Sequence, residues 1–140
     1  MEKISSFKGT NRFLSNFYYA PIPYRDFMCD SVEVAYQAEK CDNYEDLVMI
    51  AHMNSMDAKL CGKRIKIRPD WEEDKLMVME ILCRRKFDKY IGLQAMLLGT
   101  KDKILEEGNT WGDIYWGICN GAGENHLGKI LMQLRKEYRD

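Results

Sequence analysis

The chain has 140 residues, with 22 acidic and 21 basic side chains and a formal net charge of −1 at pH 7. This length predicts a single domain over residues 1–140 with a real hydrophobic core. The near-neutral balance excludes a protein coated in positive charge for nucleic acid, although it leaves room for a local basic groove.

Cysteine and histidine usage argues against disulfides and metals. The five cysteines are scattered and form no C-x-x-C pair, which favours reduced, core-filling thiols in a cytosolic protein. His52 and His126 have no partner at metal-ligand spacing, so we expect no metal. No apolar run approaches transmembrane length, and the N-terminus lacks a signal-peptide core. We therefore expect a cytoplasmic protein without a membrane partner.

The first thirty residues predict little regular structure. Lys3–Phe7 is a candidate edge strand and Tyr24–Cys29 a second one, with Pro21 and Pro23 keeping the backbone extended before it. Asp30 then opens the first helix.

That first helix has two distinct faces. Asp30 and Glu33 form a predicted capping box, and the helix runs to about Cys41. At about 100° per residue, Cys41 shares a core stripe with Val34 and Ala38.

A second stripe of this helix is polar. Glu33, Gln37 and Lys40 share one face, since seven residues bring Lys40 back almost above Glu33, and Tyr36 lies beside them. On the residues alone, a solvated surface is the favoured interpretation of such a stripe.

The remaining pattern is helix-rich. Helical spacing and capping residues predict further helices over Asn43–Met53, Ser55–Gly62, Asp70–Tyr90, Gly92–Leu98 and from Asn125 onward. A short strand is predicted at Lys103–Glu106. The fold class is therefore α+β, predominantly helical, with about six helices and a small β-sheet.

A basic stretch precedes the longest helix. If it is extended, Arg64, Lys66 and Arg68 lie on one side and Ile65 and Ile67 on the other. The three cations are candidate contacts for nucleic-acid phosphates. An ordinary charged surface is the favoured alternative.

The segment Asn109–Gly128 holds half of the ten glycines and two of the three tryptophans. Glycine at this density predicts a shaped loop. Asp113 lies between Trp111 and Trp116, just before a helix that Asn125 is placed to open. This composition suits a site for a sugar–phosphate–base ligand, and equally a packed loop whose tryptophans plug the core.

Most standard catalytic motifs are absent. No P-loop, dinucleotide fingerprint or G-x-S-x-G sequence occurs, so no cofactor is expected. What remains is carboxylates, amides, aromatics and Lys40, stacked on Glu33. Cleaving a base from ribose develops positive charge on the sugar, which carboxylates stabilise, and one of them can orient water. This set of residues fits a glycosidic-bond hydrolase.

Six short motifs occur in order over nearly the whole chain: Leu14–Tyr18, Ser31–Lys40, Asp70–Glu72, Lys86-Phe87, Trp116-Gly117 and Asn125-x-Leu-Gly-x-x-Leu-Met-x-x-Arg135. Together they resemble the NADAR (NAD- and ADP-ribose-linked) superfamily. The family usually has histidine after the glutamate of Ser-x-Glu, whereas this chain has Val34 on the core stripe.

The resemblance implies a mostly helical N-glycosidase fold. Glu33, Trp71, Asp113 and Trp116 fall on the family's functional positions, and Lys40 matches the lysine that closes its Gln-Ala-x-Lys motif. Glu33, Lys40 and Asp113 are therefore the expected catalytic residues. The expected substrate-binding residues are Ser15, Asn16, Phe17, Tyr36, Gln37, Trp71, Trp116, Asn120, Gly121 and Asn125.

Two activities follow from the resemblance. The leading hypothesis is removal of ADP-ribose from ADP-ribosylated guanine, with an ADP-ribosylated single strand as a candidate partner. The alternative is cleavage of ribosylamino-pyrimidine intermediates of riboflavin biosynthesis. A non-catalytic ADP-ribose-binding module is a third reading, and the sequence leaves the oligomeric state open. A purely structural role requires that the aromatics of the last loop be fully buried.

Overall fold

A computed structural model describes residues 2–140. By backbone contacts the chain divides into two compact units. The terminal unit comprises Met1–Ser15 and Tyr90–Asp140, and the central unit comprises Asn16–Lys89. No helix among residues 2–140 is both long and apolar enough to cross a membrane.

The central unit is a β-hairpin followed by four helices. Its elements are β2 (Ile22–Tyr24), β3 (Phe27–Cys29), α1 (Val32–Glu39), α2 (Tyr44–Ala51), α3 (Ser55–Gly62) and α4 (Trp71–Lys89). Helix α1 packs against α2, α3 and α4, and β3 packs against α1 and α2. All residues of α1 from Val32 to Ala38 are buried. Helix α1 is thus the core of this unit.

The terminal unit contains a 3₁₀ helix, Gly9–Leu14, two α-helices and four very short strands. These are β1 (Lys3–Ile4), α5 (Ile91–Leu98), β4 (Ile104–Leu105), β5 (Gly108–Asn109), β6 (Ile118–Cys119) and α6 (His126–Arg139). Strands β1 and β4 pair in parallel, as do β5 and β6. Helix α6 packs against α5 and β4.

The predicted fold class is confirmed, with six α-helices within residues 2–140. The strands, however, form three two-stranded sheets rather than one small sheet. The single strand predicted over Tyr24–Cys29 is wrong: Arg25, at φ 51°, makes a tight turn between two antiparallel strands.

The start of α1 is one residue later than predicted. Ser31 is the N-cap, and its side chain accepts a hydrogen bond from the backbone N–H of Val34. The capping box from Asp30 is therefore wrong, because Glu33 falls one position too early for that pairing. The core stripe is confirmed: Val34 and Ala38 are fully buried.

Candidate functional site

Glu33 and Gln37 form a buried polar pair on α1. Nε2 of Gln37 donates a hydrogen bond of 2.7 Å to Oε2 of Glu33. The exposed fractions of the two residues are only 8% and 6%. The backbone N–H of Glu33 donates to the carbonyl oxygen of Asn16 over 3.0 Å, which fixes the first turn. The expectation of a solvated surface is therefore wrong for these two residues.

Gly62, the last residue of α3, explains how this polar face is covered. A Cβ atom at this position would lie 2.0 Å from Oε1 of Gln37 and 3.2 Å from Nζ of Lys40. The first distance is shorter than any real Cβ contact, so only glycine lets α3 pack directly onto the amide and the amine. Gly62 carries no local sequence signal for this role, because the contact joins two helices that are separated along the chain.

Lys40 is the C-cap of α1 and is half-buried. Burial lowers the pKa of its amine below the ordinary value, although the nearby Glu33 carboxylate opposes this effect. A lowered pKa increases the neutral fraction of an amine near neutral pH, and only the neutral form is a nucleophile. Glu33, Gln37 and Lys40 are thus brought together as predicted, and we call them the polar face of α1.

Arg68 holds the end of α1. Its backbone N–H donates to the carbonyl of Lys40 over 3.0 Å, and its Nε donates to the carbonyl of Glu39 over 2.9 Å. Its Nη1 also lies 2.8 Å from carboxylate oxygens of both Asp70 and Asp74. The charge of this predicted phosphate contact is already engaged within the central unit.

The rest of the basic stretch is not an extended strand. Ile67 forms only an isolated bridge with Cys41, and it is exposed rather than buried. Lys66 is exposed and lies 3.3 Å from a carboxylate oxygen of Asp42, while Arg64 is exposed. The predicted alternation is therefore wrong, because this stretch is shaped by main-chain bonds to the end of α1. A nucleic-acid contact by these residues stays a prediction.

Trp71 begins α4 and is buried. Its ring lies 5.0 Å from that of Tyr36, and the guanidinium of Arg68 lies 5.0 Å from its ring centroid. The structure thus places two of the predicted binding residues in one packed contact. Their stacking on a ligand stays a prediction.

Asn16 connects the start of α1 to α4. In addition to its main-chain bond to Glu33, its Nδ2 lies 3.3 Å from the sulfur of Met79. Its Oδ1 accepts a weak hydrogen bond of 3.8 Å from the thiol of Cys83. Asn16 is itself buried, so its position beside Glu33 is well fixed.

The neighbours of Asn16 in sequence are less enclosed. Ser15 is half-buried and ends the 3₁₀ helix of the terminal unit, where its N–H donates to the carbonyl of Arg12 over 2.9 Å. Phe17 is half-buried in the central unit, and the amine of Lys59 lies 5.4 Å from its ring centroid. Neither geometry tests their predicted role in lining a pocket.

Lys86 is a basic residue in the interior of the central unit. It lies on α4 at the edge of an apolar stripe, where a long side chain usually reaches solvent. Instead it is 1% exposed, with its amine 5.5 Å from the ring centroid of Tyr18 and 5.1 Å from that of Phe87. Burial lowers the pKa of this amine to about 8.

Asp113 organises the glycine-rich loop of the terminal unit. Its Oδ1 accepts hydrogen bonds from the backbone N–H groups of Tyr115 and Trp116, at 3.1 and 3.0 Å. Asn109 adds two bonds to the main chain of Asp113, one to its N–H and one to its carbonyl. One carboxylate oxygen of Asp113 is therefore committed to loop geometry.

The aromatics of this loop are not all buried. Trp111 is 57% exposed. Trp116 is half-buried, with its ring 4.8 Å edge-on to that of Tyr115, which in turn lies 4.5 Å from His126. The interpretation of the loop as a plug of buried tryptophans is wrong for Trp111.

Asn120, Gly121 and Asn125 all adopt positive φ angles. Asn120 and Gly121 are exposed, whereas Asn125 is buried. Asn125 stands at the N-cap position of α6, but its side chain does not cap the helix. Its Oδ1 accepts from the N–H of Glu107 over 3.0 Å, and its Nδ2 donates to the carbonyl of Leu105 over 2.9 Å. This asparagine joins two backbone segments.

The comparisons with known proteins decide the family. The NADAR domain matches residues 5–139. The chain belongs to the NADAR family. Its match spans both the helix that carries Glu33 and Lys40 and the loop that carries Asp113.

NADAR relatives are similar over most of the chain. The N-glycosidase Npun_R5314 of Nostoc punctiforme is 34% identical over 133 residues, covering 90% of this chain and 85% of the relative. The NMR structure of the Escherichia coli protein YbiA shares the fold, with a TM-score of 0.86, 31% identity, and coverage of 99% of this chain and 87% of that one.

A third relative is a larger protein. The riboflavin biosynthesis protein VVA0006 of Vibrio vulnificus is 33% identical over 132 residues, which are 91% of this chain but 36% of that protein.

Proposed function

We propose that this NADAR protein is a hydrolase of the N-glycosidic bond between a base and a phosphorylated ribose. The observation that carries the proposal is the polar face of α1. There Gln37 donates a hydrogen bond of 2.7 Å to the buried carboxylate of Glu33, and Lys40 follows on the same face. The name N-glycosidase of a relative that this chain matches over most of its length supports the same chemistry.

Glu33 supplies the charge that this reaction needs. As the C1′–N bond breaks, positive charge develops on the ribose, and a carboxylate held beside C1′ stabilises it. The same carboxylate can accept a proton from the attacking water, whose oxygen then bonds to C1′. The base leaves with the electron pair of the broken bond and takes up a proton. The hydrogen bond from Gln37 fixes the carboxylate for this role.

Lys40 has two candidate roles. As a neutral amine it can attack C1′ and expel the base, and opening of the ribose ring then gives a Schiff base that water hydrolyses. Alternatively, as an ammonium it neutralises a substrate phosphate. The lowered pKa of Lys40 favours the first role. We assign Asp113 to the ribose hydroxyls, through the oxygen that the loop does not use, and Trp71 and Trp116 to the base or adenine.

ADP-ribosylated guanine in nucleic acid is the first candidate substrate. It is the leading hypothesis from the family resemblance. The basic stretch adds little to it, because Arg68 and Lys66 are already paired with carboxylates of the central unit.

A ribosylamino-pyrimidine intermediate is the second candidate substrate. It is favoured by the name of the Vibrio relative, a riboflavin biosynthesis protein. Both candidates present the same C1′–N bond next to a phosphorylated ribose, so the polar face of α1 suits either.

The test is a release assay with both substrates. Purified protein is incubated with a single-stranded oligonucleotide bearing ADP-ribosyl-guanine and, separately, with the ribosylamino-pyrimidine phosphate, and products are separated by chromatography. We expect release from one substrate by wild type, and loss of at least 100-fold in rate for Glu33→Gln and for Lys40→Ala.

Glu73→Gln and Lys66→Ala are the matched controls, because both residues are exposed. Glu73→Gln should retain the wild-type rate on whichever substrate is cleaved, and Lys66→Ala should do so when that substrate is the ribosylamino-pyrimidine phosphate. Binding of ADP-ribose by a folded protein that turns over neither substrate would instead identify a non-catalytic module.

A further inference from the structure

The amide of Gln37 has one satisfied end and one unsatisfied end. Nε2 donates to Glu33, whereas Oε1 is buried and has no hydrogen-bond partner in the part of the chain that is described. A buried carbonyl left unpaired destabilises the fold, so such a group calls for an explanation. Rotating the amide by 180° does not help, because Oε1 would then face the carboxylate of Glu33.

Lys40 is the donor that shares this space. Both Oε1 of Gln37 and Nζ of Lys40 lie next to Gly62. If this residue carried a Cβ atom, that atom would be 2.0 Å from Oε1 and 3.2 Å from Nζ. The two distances to this common position put Nζ of Lys40 within about 5 Å of Oε1 of Gln37. An amine carries two or three N–H donors on a flexible stem, so rotation of the stem can direct one of them at Oε1.

We propose that Gln37 is a positioning residue whose amide stands between Glu33 and Lys40 and keeps them from closing into a direct ion pair. Its Nε2 orients the carboxylate, and its Oε1 lies on the side of the amide where the amine of Lys40 is found. This inference rests on the proposed function of the polar face, and it assigns Gln37 to the catalytic pair rather than to the substrate.

The spacing along α1 supports this arrangement. Gln37 is one turn after Glu33 and three residues before Lys40, so its side chain occupies the middle of the face. A direct ion pair would favour the charged amine and direct both groups away from substrate. The groups that act on the charge of Lys40 are Glu33 and Cys41 on its own segment and Lys63 at the end of α3.

The test measures the pKa of Lys40 without substrate. Lysines are dimethylated with ¹³C-formaldehyde and a borane or borohydride reductant, the Lys40 signal is assigned by Lys40→Arg, and its chemical shift is followed against pH. In Gln37→Met, which keeps the side-chain length and removes the amide, we expect the pKa of Lys40 to rise by about one unit. In the double variant Glu33→Gln/Gln37→Met the rise should disappear, because no carboxylate remains to pair with.

Gln133→Met is the matched control, since Gln133 is exposed and bonds only to Glu137 on its own helix among the contacts described. It should leave the pKa of Lys40 unchanged. If Gln37→Met does not fold, Gln37→Asn withdraws the amide by one methylene and should give the same upward shift.

An unchanged or lower pKa of Lys40 in a folded Gln37 variant would overturn the inference. Because this measurement needs no turnover, wild type that cleaves neither substrate would contradict the proposed function and leave the role of Gln37 standing. With an active substrate, the pH–rate profile of Gln37→Met should move to higher pH in parallel with the pKa.

Discussion

The polar face of α1 and the glycine-rich loop are made of the same residue types and use them differently. Each has a carboxylate next to an amide. On α1, the carboxylate of Glu33 accepts its described side-chain bond from the side chain of Gln37. In the loop, the carboxylate of Asp113 accepts from the main-chain N–H groups of Tyr115 and Trp116.

The difference follows from how each backbone satisfies its own polar groups. In α1 the main-chain groups are paired within the helix, by the Ser31 cap and by the carbonyl of Asn16, so the side chain of Glu33 is not needed to bond to the backbone. The glycine-rich loop has main-chain bonds but no regular helical or sheet pattern, so side chains bond to the main-chain groups that this irregular pairing leaves open. Asn109 and Asn125 bond to main-chain atoms of the terminal unit, as Asp113 does. A carboxylate in a sequence motif therefore indicates chemistry more strongly on a helix than in such a loop.

The largest effect that this comparison predicts is on catalysis. Glu33→Gln removes the charge beside the reacting bond, and we expect kcat to fall by about 10³-fold or more. Asp113→Asn keeps an acceptor oxygen for Tyr115 and Trp116, so we expect a loss of about tenfold or less. Single-turnover rates on the active substrate measure both.

Asp113→Ala separates the two functions of that carboxylate. It removes the acceptor as well as the charge, so the loop should loosen, which amide hydrogen exchange of residues 113–118 would detect. Equal losses in Glu33→Gln and Asp113→Asn, with the loop intact, would contradict the distinction and make Asp113 an equal catalytic partner.

The side-chain bonds of Asn125 should contribute measurably to the stability of the glycine-rich loop. Asn125→Ala leaves the N–H of Glu107 and the carbonyl of Leu105 without their side-chain partners, and it strains a residue at φ 54°. Asn120→Ala introduces similar strain at φ 53° on an exposed residue. We expect Asn125→Ala to lose about 2–3 kcal/mol more free energy of unfolding than Asn120→Ala. Urea denaturation measures the difference, and equal losses would show that the bonds of Asn125 contribute nothing net.

Local sequence patterns were sufficient to predict the helices. Helical spacing and capping residues placed most helix ends within a few residues, because these signals act within one turn. The start of α1 was misplaced by one residue, since Asp30 and Ser31 are both good N-caps and only Ser31 bonds to Val34. The composition of the last loop likewise predicted its irregular backbone.

Burial of polar and charged side chains was not predictable from the same patterns. Whether Glu33 and Gln37 face solvent depends on what packs over them, and the residue that permits this packing, Gly62, lies on another helix. The same holds for Lys86. A lysine at the edge of an apolar stripe is expected to be exposed, and only its neighbours in the fold show that it is buried. Arg68, read as a phosphate contact, bonds to the end of α1 and to Asp74 because these groups come together only in the fold.

The smallest predicted effect is the change in stability when either of two helical glycines is replaced by alanine. Replacing glycine by alanine in a helix normally stabilises it by about 0.5–1 kcal/mol. Gly92 on α5 has open space at its Cβ position, so Gly92→Ala should show this gain. Gly62→Ala should instead lose about 1–2 kcal/mol, because its Cβ displaces the amide of Gln37.

Thermal unfolding of the two variants in the same buffer shows directly whether each substitution stabilises or destabilises the protein. A displaced amide also releases the carboxylate of Glu33, so Gly62→Ala should lower kcat while Gly92→Ala leaves it unchanged. A stabilised and fully active Gly62→Ala would mean that the contact between α3 and the polar face relaxes without cost. In that case α1 alone would set the geometry of the polar face, and the packing of α3 would not be needed to hold Gln37 against Glu33.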